Sequence, residues 1–187
     1  MRRFIDNPYV LWAVLAAPGL WLTYDQFVAH GERAFSLSGI WSCWLLVLTM
    51  AVTPLEMIFG PLPWLRRSRR YFGVASFFYA SLHTLIWLLG VHMWQIIASF
   101  TRPSVVPGWI GYVIFVLLAI TSTDGWVRRL GPRWKWLQRW IYPAAFLTFV
   151  HWVMTTEHVL DAWLWSVPIM VAGVWRLWRH QKRMRRA

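Results

Sequence analysis

The sequence predicts an all-α integral membrane protein: a bundle of six transmembrane helices with both termini in the cytoplasm. Three observations point there. Hydrophobic residues make up 58% of the chain and charged residues 14%, and the apolar residues fall in runs near or above the roughly 18 that mark a membrane span. The connections between runs are too short to hold a soluble domain. The basic residues also alternate, since 17 of the 19 fall in segments that six spans bring to one face, leaving Arg33 and Arg102 on the other. The positive-inside rule makes the basic face cytoplasmic.

The first span, about 9–28, follows Arg2 and Arg3. A short basic start before an apolar run resembles a cleavable leader. However, Ala16-Ala17-Pro18 is a poor cleavage site and the run continues past Trp21, so a retained span is expected. The second span covers about 37–59, and Arg66, Arg67, Arg69 and Arg70 separate it from the third, about 71–97. The fourth, about 109–123, is the shortest, and is followed by Arg128, Arg129, Arg133, Lys135 and Arg139. The fifth and sixth cover about 137–156 and 159–178, and Arg176, Arg179, Lys182, Arg183, Arg185 and Arg186 lie in the closing segment. At about 1.5 Å per residue, each run is close to or above the roughly 30 Å of a bilayer's hydrocarbon.

This arrangement reads the net charge of +12 as topology and contact with anionic membrane lipid, not as a nucleic-acid footprint. Many of the 17 tryptophans, Trp41, Trp64, Trp94 and Trp109 among them, fall near span ends, where amphipathic rings anchor helices. The one cysteine, Cys43, lies inside a span, so there is no disulfide framework, no CxxC and no CxxCH for a covalent haem.

The chemistry lies in two histidines. His83 stands thirteen residues after Arg70, and His151 twelve after Arg139. Both spans run outward, so at 1.5 Å rise the imidazoles lie within about 2 Å of each other in depth. An ionisable side chain inside the membrane marks a functional site by default. Two imidazoles at one level on different helices are what a bis-histidine b-type haem takes as axial iron ligands. Trp87 and Trp152 lie beside them and are placed to pack on a macrocycle. His30 and His180 are expected in solvent. His92 and His158 fall near the outer ends of spans three and five, out of phase for a second haem, and are expected to hydrogen-bond at the interface. Glu56 and Asp124 end spans two and four at the basic face, where pairing with nearby arginines is expected. No dinucleotide fingerprint, P-loop or nucleophile triad is present.

Several short motifs now stand in order: Thr49–Leu55 (TMAVTPL), Arg69-Arg70-Tyr71-Phe72-Gly73, Tyr79-Ala80-Ser81-Leu82-His83, Thr101-Arg102-Pro103, Ala119-Ile120-Thr121-Ser122-Thr123, Arg129-Leu130-Gly131 and His151-Trp152. With similar gaps, they resemble the ferric-reductase-like transmembrane superfamily and, within it, the MsrQ/YedZ family. The likeness covers roughly residues 38–154. It implies one ferric-reductase-like domain over residues 1–187, in the bacterial inner membrane, acting as an electron-transfer subunit and not as a stand-alone enzyme. It implies one haem b on His83 and His151. It also implies electron entry on the inner side from a quinol or a flavin reductase, and exit to a periplasmic molybdenum-dependent methionine sulfoxide reductase. FMN is implied as well, though no FMN motif is visible. Arg102, one of two outer cations, is a candidate partner for a haem propionate. One departure stands out: the family's Trp-x-x-Leu-His pattern near the inner end of span five reads Trp134-Lys135-Trp136-Leu137-Gln138 here. In two-haem relatives that histidine serves an inner haem, so Gln138 argues for one haem. The rival readings are a small transporter using its histidines for protons or a metal ion, and a cofactor-free membrane assembly subunit.

Overall fold

The computed structural model describes residues 7–157 together with residues 160, 162–164, 167 and 173. Among these residues the chain is all-helical. The first helix, α1 (Pro8–Phe27), begins on Asn7, whose side-chain oxygen accepts from the Tyr9 amide at 3.0 Å. Its Pro8 needs no amide partner at the first helical position. Helix α2 (Ala34–Phe59) ends at Gly60, whose φ of 85° lies in the left-handed region that only glycine enters freely.

Helix α3 (Pro63–Gly90) starts earlier than the expected 71. Pro63 presets its first turn, so the basic run 66–70 forms the helix's opening turns instead of a loop. It also ends earlier than the expected 97. Val91 is extended, and His92 opens a separate helix α4 (Met93–Ser99), with the Gln95 side chain accepting from the His92 amide at 3.0 Å. That capping box is a strong local start signal, and it splits one apolar run into two helices.

Helix α5 (Val106–Ile120) is followed at an 89° bend by α6 (Asp124–Leu130), so the expected fourth span begins a little before 109 and stops short of 123. Next come α7 (Pro132–Leu137), a 3₁₀ turn (Gln138–Trp140) and α8 (Ile141–Thr155). The expected fifth span, 137–156, is continuous only from Ile141. Pro143 has no amide for the Arg139 carbonyl, so the α ladder breaks there and a tighter turn leads in. The expected sixth span, 159–178, lies largely outside the described residues.

Among the described residues, α2 and α3 are each long and apolar enough to cross a membrane, and α5 with α6 makes a third if the bent pair is one span. Helix α2 packs most extensively on α3, and α5 on α8. One core cluster joins α1, α2 and α3 through Leu22, Leu45, Phe72 and Tyr79. A second joins α2, α5 and α8 through Leu46, Phe115, Ala144 and Phe149. Consecutive residues of α2, Leu45 and Leu46, serve the two clusters, which makes α2 the shared wall. Small residues bring α2 and α3 close: Ser42 Oγ donates to the Ser76 carbonyl and Ser76 Oγ to the Ser42 carbonyl, each at 2.9 Å. Such interhelical bonds contribute on average about 0.6 kcal/mol in a bilayer. Large apolar side chains such as Leu20, Ile58, Phe59, Leu89 and Val113 point outward, as a lipid-facing surface requires.

Candidate functional site

Two cavities lie between these helices, one above the other. His83 on α3 and His151 on α8 both line the first, a space of about 320 Å³. That volume is at the lower end of the range for small-molecule pockets, about 300–1,000 Å³. Helix α2 contributes Phe35, Gly39 and Cys43; α5 contributes Gly108, Tyr112 and Phe115; Trp87 and Trp152 close the sides. The walls are apolar and aromatic, with Thr84, Thr148 and Thr155 among the few hydroxyls.

Each imidazole is held in the same way. His83 Nδ1 lies 2.9 Å from the Phe35 carbonyl oxygen, and the Phe35 ring stacks on the imidazole at 4.3 Å with planes 19° apart. His151 Nδ1 lies 2.7 Å from the Ser104 carbonyl oxygen. A carbonyl only accepts, so each bond requires the proton on Nδ1 and leaves the Nε2 lone pair available. Metal-bound histidines are oriented by such bonds from the other ring nitrogen. Both rings also rest against glycine. A Cβ on Gly39 would stand 3.1 Å from His83, and one on Gly108 3.0 Å from His151. A side chain at either place crowds the ring, which has to give by a few tenths of an ångström.

Two neutral imidazoles can ligate a metal whose remaining positions are filled otherwise. No group of three or more histidine, cysteine or acidic side chains that could hold a metal ion occurs among the described residues. A planar four-nitrogen macrocycle supplies the missing donors, and flat aromatic walls suit one. The residues present therefore fit a haem with two axial imidazoles.

The remaining sequence candidates fall elsewhere. Arg102 is exposed in the turn between α4 and α5, two residues from Ser104, and does not line the cavity. His92 is an exposed helix cap and His30 an exposed loop residue at φ 54°. His158 and His180 lie outside the described residues. Glu56 pairs with Arg66 at 2.9 Å and Asp124 with Arg70 at 2.7 Å, as expected of acids beside a basic run. The Arg70 hydrogen bond and charge hold the Asp124 carboxyl below its ordinary range.

The second cavity, about 470 Å³, is lined by Arg66, Arg69, Arg70, Lys135 and Arg139, with Phe77, Trp134 and Tyr142 among its walls. No histidine lines it among the described residues. Gln138 is there, its amide nitrogen in long contacts to the Leu118 carbonyl at 3.4 Å and to the Thr121 and Ser122 hydroxyls at 3.5 Å. Phe115, 5% exposed, lines both cavities and partitions them.

Sequence reasoning found the two histidines and their tryptophan neighbours. It missed the Phe35 and Ser104 carbonyls and the two glycines. Carbonyl partners carry no side-chain signal. A glycine facing a helix 44 residues away leaves no local one.

Known proteins share this layout in sequence. The ferric reductase like transmembrane component family matches residues 38–150. A protein-methionine-sulfoxide reductase heme-binding subunit MsrQ from Ralstonia nicotianae is 37% identical over 185 residues, spanning 90% of this chain and 85% of that one. The subunit of the same name from Xanthomonas campestris pv. campestris (strain B100) is 36% identical over 147 residues, spanning 76% and 67%. The one from Herminiimonas arsenicoxydans is 34% identical over 157 residues, spanning 78% and 72%.

Proposed function

This chain belongs to the ferric-reductase-like transmembrane family and, within it, to the MsrQ subunits, and from that premise we propose that it is a single-haem b-type membrane cytochrome. The observation that carries the reading is the matched pair of imidazoles in one cavity, each with Nδ1 tied to a backbone carbonyl and Nε2 left over. His83 and His151 would hold the haem iron. A bound haem supplies a one-electron couple in a low-dielectric site.

The protein residues then have definable tasks. Phe35 and Ser104 fix ring orientation and tautomer through their carbonyls. Gly39 and Gly108 let the imidazoles lie against the α2 and α5 backbones. Trp87, Trp109 and Trp152 give the cavity flat aromatic walls; Trp109 is itself fixed by its indole donating to Ser99 Oγ at 3.0 Å. Arg102, exposed in the turn that carries Ser104, would be the candidate cation for a haem propionate.

The proposal extends to topology and partners. Six spans cross a bacterial inner membrane, with both termini cytoplasmic and the whole of 1–187 forming one domain. The alternation of basic segments supports this orientation. Electrons enter on the cytoplasmic side from a quinol or a flavin reductase, with or without FMN. They leave to a periplasmic molybdenum-dependent methionine sulfoxide reductase; the relatives are heme-binding subunits of a protein-methionine-sulfoxide reductase, which supports an acceptor of that activity. The absence of histidine from the second cavity's described lining supports one haem.

A dithionite-reduced minus oxidised spectrum of the detergent-purified protein, with a pyridine haemochrome assay, tests this. A sharp low-spin b-type α band at about one haem per chain is expected. Folded protein that takes up no haem when supplied with it overturns the reading.

A further inference from the structure

The two imidazoles are not held equally. His151 Nδ1 reaches the Ser104 carbonyl at 2.7 Å, and among the described residues no other donor meets that oxygen. His83 Nδ1 reaches the Phe35 carbonyl at 2.9 Å. That oxygen also accepts from the Ser38 hydroxyl, whose Oγ stands 2.8 Å away. Phe35 lies in the first turn of α2, where the α ladder brings the Gly39 amide to the same carbonyl. A carbonyl oxygen has two lone pairs, so three donors over-subscribe it. The longer of the two histidine bonds is the one that is shared.

A serine that bonds back to a carbonyl three residues earlier is ordinary in a helix. What matters is which carbonyl Ser38 takes. Ser38 is fully buried, at 0% exposed, and does not line the histidine cavity. It reaches the candidate metal site through the oxygen that it shares with His83. A hydrogen bond from the far nitrogen of a ligating histidine raises the basicity of that ligand. A weaker bond leaves the imidazole a poorer donor, which favours ferrous over ferric iron and raises the reduction potential.

We propose that the two axial positions are electronically unequal and that Ser38 sets the inequality. Its hydroxyl draws on the Phe35 carbonyl and holds His83 the weaker donor of the pair. The haem potential is thereby kept higher than two unshared bonds would leave it. The inference rests on the single-haem reading above. Ser38 is a positioning residue: it lines no part of the cavity and acts through a backbone oxygen. The His151 side has no such lever, because Ser104 carries no second donor among the described residues.

S38A removes the competing hydroxyl with almost no change in volume. The control is S76A, because Ser76 is also buried and its hydroxyl bonds the Ser42 carbonyl instead. The first readout is NMR of the full-length protein as purified, with isotope-labelled histidine, reduced so that any bound iron is diamagnetic. S38A should move the His83 Nδ1 proton to lower field, the mark of a stronger bond, and leave that of His151 in place. The second readout is a spectroelectrochemical titration, in which S38A should lower the midpoint potential while S76A keeps the parent's value. An unmoved His83 proton in S38A overturns the proposal, and so does an unchanged potential or an equal fall in S76A. Failure of the parent protein to take up haem strikes the single-haem reading, and the first readout, which needs no haem, tells the two failures apart.

Discussion

The histidine cavity and the basic cavity draw walls from the same four helices, the second adding α7 and the 3₁₀ turn, and share Phe115 as their partition, yet they are held together in opposite ways. In the first, each functional side chain is fixed by backbone: a carbonyl at 2.7–2.9 Å and a glycine against the ring. In the second, the functional side chains are long and partly exposed. Two of them pair with carboxylates, and the others have no carboxylate within ion-pair distance among the described residues. The difference teaches what each region is for. A metal site needs donors preset in direction, and the carbonyl contacts on His83 and His151 are of the kind that would preset them.

The comparison breaks most sharply at the imidazoles. Replacing His83 or His151 by alanine should remove essentially all low-spin haem while leaving a membrane-inserted protein, read by pyridine haemochrome. A full complement of low-spin haem in either variant sinks the ligand assignment. Next in size are the glycines. G108V and G39V push a side chain into the ring, and overpacking costs typically about 1–3 kcal/mol. Haem affinity should fall roughly five- to 150-fold, with altered low-spin EPR g-values marking the turned ring. G108V should suffer at least as much as G39V, because its contact is the closer.

The basic cavity offers a test in the other direction. Q138H should leave haem at one per chain, since Arg69 still faces it across the same level. R69H/Q138H supplies an imidazole on each helix and should raise the haemochrome ratio above one. A second haem in Q138H alone would show that the two cavities differ by that one residue. The smallest effect is at the rim. The Asp124 carboxyl is held low by Arg70, so its folded-state pKa lies below its unfolded value of about 3.9. Its contribution is therefore present above that value and is lost as pH falls through the lower, folded one. D124N should lower thermal stability slightly at neutral pH, and the gap to the parent protein should close at acid pH. The pair is exposed, so added salt should shrink the gap as well.

Much of the fold could be read from the chain because hydropathy and charge are local properties. The all-helical architecture, the apolar runs of α2 and α3 and the placing of His83 and His151 on one level, where both line one cavity, rest on composition and rise per residue. Helix ends were less legible. The break at Val91 and His92 and the 3₁₀ turn before Ile141 depend on caps and on Pro143, and a hydropathy window averages such features away. Gln138 was visible as a departure from a motif, but the cavity around it was not. It takes Arg69 from α3 and Lys135 from α7 to give that position a charged setting.

Composition and local pattern, then, were enough to read an all-helical chain, where the cations cluster, and that His83 and His151 belong to one level. Only the tertiary structure decided how those imidazoles are oriented and what lies beneath them. The Phe35 carbonyl meets His83 across 48 positions and the Ser104 carbonyl meets His151 across 47. Backbone groups are chemically the same at every residue. Which carbonyl becomes a histidine's partner, and which glycine lies under its ring, is fixed only when α2 packs on α3 and α5 on α8.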